Sequence, residues 1–207
     1  MFIYCDLETS GSMPQTKFKP LQIAIYLNPG KWIVKDIRHK ELMCSSEAMG
    51  VNKIDVASLA DPLRTPLVLA DKELSSFVWD NADANFPHKN RIVGFNAPSF
   101  DLAYIREYFP KLTKRIHPYS GVDLNSALVV ANGGMEYLQE AKDAMKWYAS
   151  LQMPEVIKNR GAHDALYDAA EAHAILPALL NGQLLEIMED WKSTTGYRRP
   201  EAHVTTV

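Results

Sequence analysis

The chain reads as an α/β protein: a mixed sheet of three antiparallel strands, then strands alternating with helices, the whole flanked by helices. Three observations predict this. The chain opens on an apolar run, Met1 to Cys5, within a strand-like segment at 2–7; two more strand-like segments follow with turn chemistry between them, and beyond residue 90 short apolar runs alternate with stretches whose apolar residues recur every three or four positions. With 207 residues, 47% of them hydrophobic, the chain has material for one sizeable core. Residues 1–185 are therefore read as one domain, and 186–207 as a helix end followed by a tail that is polar and loosely ordered from Ser193.

Residues 2–7 form the first expected strand. Leu21, Ile23, Ile25 and Leu27 alternate with Gln22, Ala24 and Tyr26 in the second, and Asn28-Pro29-Gly30 turns the chain into a third from Trp32 to Ile37. From Ser45 to Leu69 the pattern is irregular and polar. Leu74, Phe77 and Val78 then show helical spacing behind an Asp71 N-cap. Arg91–Phe95 reads as a short buried strand, and Ser99 is placed to cap a helix that Pro110 stops. A short strand at 121–124 leads into a helix at 125–131, broken at Gly133-Gly134. The next helix carries Leu138, Ala141, Met145 and Tyr148 on one face. After a polar loop at 158–162, the last strong helix runs from Asp164 towards Leu180, with Pro177 in its final turn.

The net charge of −3 argues against a protein that coats duplex nucleic acid by bulk positive charge. Any nucleic acid would have to be gripped locally. Cys5 and Cys44 are too few for a disulfide scaffold, the apolar start is too short for a leader or a membrane span, and a reducing cytoplasm is the expected location.

The chemistry lies in four carboxylates and a histidine. Asp6 and Glu8 are two apart at a strand exit, so both project to one side of the sheet; Asp101 falls in the first turn of a helix; Asp168 follows His163 by five. Hard cations such as Mg²⁺ or Mn²⁺ take a few carboxylates and keep several waters, so four carboxylates suit a pair of ions. Spacing alone proves nothing, since Asp71-Lys72-Glu73 repeats that of Asp6 and Glu8. On one continuous helix His163 and Asp168 would diverge by roughly 140°, which a loop position for His163 removes.

Context separates these residues from chance. Cys5-Asp6-Leu7-Glu8-Thr9-Ser10-Gly11, Gly94-Phe95-Asn96-Ala97-Pro98-Ser99-Phe100-Asp101 and His163-Asp164-Ala165-Leu166-Tyr167-Asp168 occur in that order, with Val122-Asp123-Leu124 between the last two. They resemble the three motifs and the intervening short strand of the DEDDh 3′→5′ exonucleases, and among these they look closer to the nuclease domain of bacterial exonuclease I than to oligoribonuclease. The resemblance spans residues 1 to about 180 and implies a ribonuclease H-like fold.

That resemblance implies a two-cation hydrolysis of single-stranded nucleic acid from its 3′ end, releasing nucleoside 5′-monophosphates, with DNA favoured over RNA. Asp6 would bridge two Mg²⁺ or Mn²⁺ ions, Glu8 and Asp168 would complete one, and Asp101 would orient the other. His163 would take a proton from the attacking water, a task suited to imidazole chemistry near neutral pH. The backbone of Leu7 to Thr9 and the side chain of Asn96 would meet the terminal sugar or its phosphate, Phe100 would stack on a base, and Ile54 would pack on the terminal nucleotide. Lys158 and Arg160, like Lys111, Lys114 and Arg115, read as solvated loop residues before phosphate contacts. A chain of this length is expected to be of low processivity unless a homodimer or a polymerase or repair partner helps. An exoribonuclease trimming RNA tails or short oligomers is the alternative of the same class. A nucleic-acid-binding module that has lost the chemistry is the alternative of another.

Overall fold

The computed structural model of the protein describes residues 1–12, 17–52, 54–82 and 89–198. Three strands open it: β1 (Phe2–Thr9), β2 (Pro20–Asn28) and β3 (Lys31–Arg38), paired antiparallel as β1–β2 and β2–β3. Next come α1 (Ser46–Asn52), a 3₁₀ turn (Val56–Ala60), the two-residue β4 (Thr65–Pro66) and α2 (Leu67–Asn81). The alternating part follows as β5 (Arg91–Gly94), α3 (Asp101–Tyr108), α4 (Pro110–Thr113), β6 (Val122–Asp123), α5 (Leu124–Ala131), α6 (Leu138–Gln152), α7 (Glu155–Lys158), α8 (Ala165–Leu180) and α9 (Leu184–Thr195). The six strands form one sheet in the order β4-β3-β2-β1-β5-β6, with β5 parallel to β1 and β6 parallel to β5.

Strand alternation sorts the sheet's side chains into two cores. On one face Tyr4, Ala24, Tyr26 and Val93 pack under α5, α6, α8 and α9, whose buried residues include Leu128, Met145, Ala169, Ile175 and Trp191. On the other, Ile3, Cys5, Leu7, Ile23 and Ile25 meet α2, α3 and α4 through Leu74, Leu102, Ile105 and Leu112. Helices on both faces explain why β2 is buried along almost its whole length, a pattern its alternating sequence does not announce.

Asp71 does not cap α2, which begins four residues earlier. It is buried, and its carboxylate accepts the backbone N–H groups of Lys111 (3.1 and 3.0 Å) and Leu112 (2.9 Å), so it satisfies the start of α4 instead. Ser99 likewise makes no cap. Its hydroxyl donates to the carbonyl of Asn96, and α3 has no side-chain N-cap bond. Pro110 occupies the first position of α4, where its missing N–H costs nothing. α8 continues past Pro177 to Leu180. α9, which the sequence pattern left inside a helix end and tail, buries Leu184, Ile187, Met188 and Trp191 on the helical layer and ends at a left-handed Gly196. Residues 199–207 of the expected tail lie outside the described residues. No helix among the described residues is long and apolar enough to cross a membrane.

Candidate active site

The carboxyl ends of β1 and β5 and the starts of α3 and α8 surround one cavity of about 540 Å³. Asp6, Glu8, Asp101, His163 and Asp168 all line it, with Leu7, Thr9, Asn96 and Phe100. Of the residues singled out from the sequence, Ile54 is not on that wall. Ala48 and Val51 of α1 occupy it, because the segment read as irregular folds into a helix one turn earlier.

Asp6 and Glu8 face the α8 side of the sheet, since Tyr4, on the same face, packs in that core. Glu8 pairs in register with Gln22 of β2, and Gln22 is the tie that brings α8 to the site. Its buried amide accepts the Ala165 N–H through Oε1 (2.7 Å) and donates through Nε2 to Asp36 (2.9 Å) and Asp164 (3.3 Å). Asp164 is the N-cap of α8, accepting from Leu166 and Tyr167, and also holds Arg160 with two bonds of 2.7 and 2.8 Å. His163 therefore sits on the loop before the helix, with a left-handed φ of 66°. Replacing Gln22 by leucine leaves the Ala165 N–H buried without a partner. A loss of about 1–3 kcal/mol in urea unfolding is expected, together with weaker metal binding.

The second wall is held similarly. Asn96 is also left-handed, with φ 58°; its N–H donates to Asp123 (2.9 Å), and its side-chain oxygen accepts from Asn125 (2.8 Å). Asp123 caps α5 as well, so one carboxylate joins that helix to the Asn96 turn and is held below the usual carboxylate range by these donors. Gly94 precedes the turn where β5 meets β1. A Cβ there would lie 2.8 Å from the carbonyl oxygen of Cys5, so only glycine permits this approach. The Thr9 hydroxyl donates to the Gly11 carbonyl (2.8 Å), which the buried Tyr104 hydroxyl also meets (2.5 Å). Tyr104 is thus core, whereas Phe100 lines the cavity and rests against the Tyr104 ring. Lys158 and Arg160 are engaged locally, with Glu155 and Asp164.

Burial pushes Asp6, Glu8, Asp101 and Asp168 up. Asp6 is raised well above its ordinary value by burial and then by the charges of Asp101, Asp168 and Glu8. Burial takes Glu8 to about 8 and Asp101 to about 8, the latter against the opposing pull of backbone N–H groups. Asp168 is also raised by burial, with Lys146 and His163 opposing. These residues fit hard divalent ions on three counts. The donors are carboxylate oxygens; Asp101 Oδ1 is buried with no hydrogen-bond partner; and Glu8, His163 and Asp168 offer ligand atoms that all lie within 4.8 Å of one another.

A consequence for stability follows from the sign of these shifts. Glu8 and Asp101 titrate near 4 in the unfolded chain, so between about pH 4 and 8 the native state binds more protons. The metal-free protein is expected to lose stability as pH rises through that window. Mg²⁺ or Mn²⁺, competing with those protons, should raise the melting temperature more at about pH 8 than at about pH 6. Melting curves with and without chelator measure this, and a pH-independent increment would contradict it.

No protein-family model matches the sequence, and no curated protein sequence matches it. Several solved structures do. E. coli exonuclease I in complex with a dA16 oligonucleotide is 18% identical with a TM-score of 0.56, over 93% of this chain and 43% of that one. Exonuclease I with a 5cy-dT13 oligonucleotide is 16% identical with a TM-score of 0.55, over 93% and 42%. The zinc-bound form of the exonuclease I complex with single-stranded DNA is 19% identical with a TM-score of 0.52, over 89% and 42%. The chain spans less than half the length of these chains. The shared architecture is the α/β, ribonuclease H-like fold, a mixed six-stranded sheet flanked by helices.

Proposed function

We propose that this protein is a metal-dependent 3′→5′ exonuclease that hydrolyses single-stranded DNA to nucleoside 5′-monophosphates. One observation carries the reading: Asp6, Glu8, Asp101, His163 and Asp168, from three separate segments of the chain, line a single cavity. Support for single-stranded DNA comes from the neighbours of the same fold, which were crystallised with such oligonucleotides.

Asp6, Glu8, Asp101 and Asp168 are the residues that would hold two divalent cations, which when bound supply positive charge to the attacking and leaving oxygens of a phosphodiester. The chain's own groups do the rest. His163, exposed beside Glu8 and Asp168, accepts the proton of the attacking water at a ring nitrogen. The Asn96 turn and the Leu7–Thr9 backbone form the wall against which the terminal sugar and its phosphate are oriented, and Phe100 with Val51 supplies apolar surface to the terminal base.

The test uses 5′-labelled single-stranded DNA and RNA of one sequence, each with a free or a blocked 3′ end, with Mg²⁺, Mn²⁺ or chelator. A ladder that grows from free 3′ ends, vanishes with chelator and is faster on DNA is expected. Faster laddering of RNA would make the protein an exoribonuclease, and tight binding without cleavage would make it a binding module.

A further inference from the structure

Lys146 and Glu171 are a charged pair that the five-residue constellation leaves unused. Glu171 lies on α8 three residues after Asp168, about one turn along the same face, and is only 3% exposed. Its Oε2 is 3.7 Å from Nζ of Lys146 on α6, whose side chain is 51% exposed. The ammonium also stands 5.7 Å from the centroid of Phe95, a residue of the cavity wall. The ammonium is thus held near Glu171 yet keeps access to solvent, so it can meet a second anion without first being unburied. Lys146 keeps half its side chain in solvent beside Phe95, next to a cavity whose lining has five acids and no lysine or arginine.

We propose that Lys146 is a substrate-binding residue: seated on Glu171 and steered by the Phe95 ring, its ammonium receives a backbone phosphate of the strand where it leaves the cavity past Phe95. The assignment rests on the nuclease reading and names a contact within it. A fixed cation at the exit attracts the polyanionic strand there without displacing any ligand of the cavity. Glu171 is a positioning residue here, acting through Lys146.

The experiment compares wild type, Lys146→Gln, Lys146→Arg and Glu171→Gln. Binding of a labelled single-stranded DNA is measured in chelator over about 50–200 mM salt, and steady-state cleavage is measured with Mg²⁺. Lys146→Gln should weaken binding about three- to fivefold, the range of a half-exposed ion pair, and should reduce the slope of log K against log salt by about 0.7, one phosphate contact on a single strand. KM should rise by the same factor with kcat held, since the contact is made equally in ground and transition states. Lys146→Arg should restore both quantities, and Glu171→Gln should lie between them. An unchanged salt slope in Lys146→Gln, with wild type cleaving, overturns the Lys146 contact and leaves the nuclease reading intact. A reduced slope in a protein that never cleaves upholds the contact and overturns the nuclease reading. Melting temperatures identify any variant whose loss is one of folding.

Discussion

Replacing His163 by alanine should lower kcat by about 10²–10⁴-fold, the usual contribution of a positioned general base, with little change in metal or strand binding. The residue is exposed, so its loss opens no cavity in either core. Its φ of 66° raises a second consideration, because alanine tolerates the left-handed region poorly. His163→Asn separates the two effects: asparagine adopts that conformation readily yet lacks a base of suitable strength. Both variants should be equally slow, and only alanine should lose some thermal stability. Turnover near wild type in the asparagine variant would remove His163 from the mechanism.

Replacing Asp101 by asparagine should abolish detectable cleavage while making the metal-free protein more stable. Asp101 is 2% exposed, one of its oxygens has no partner, and burial lifts it to about 8. At about pH 8 its ionised form is therefore held in the fold at a cost, and a neutral amide relieves that cost by on the order of 2–4 kcal/mol. The rate loss should exceed the roughly 10–100-fold caused by changing groups that merely support a metal ligand. Urea unfolding in chelator and Mn²⁺ titration measure the two halves. A variant less stable than wild type in chelator at about pH 8 would show that Asp101 is not strained there.

Local patterns made much of this architecture legible, and tertiary contacts account for what they hid. Asp6 and Glu8 could be assigned to one side because strand alternation is a local rule, and Asp164 as the cap of α8 put His163 on a loop from spacing alone. Asp71 was misread because a carboxylate can cap a helix remote in sequence as readily as its own. α1 is seven residues with a glycine inside, too short for periodicity to register, so Ile54 was assigned a wall that Ala48 and Val51 occupy. Gln22 carried a usable signal, a polar side chain in an apolar strand opposite Glu8. Lys146 and Glu171 carried none, since their pairing exists only where α6 crosses α8.

Asp6 and Glu8 come from β1, and Asp101 and Asp168 from helices more than ninety and a hundred and fifty positions further along. A polypeptide emerging N-terminus first has its opening strands long before α8 exists to close the pocket over them. On the proposed reading, the site could take up ions only once α8 has docked against β1.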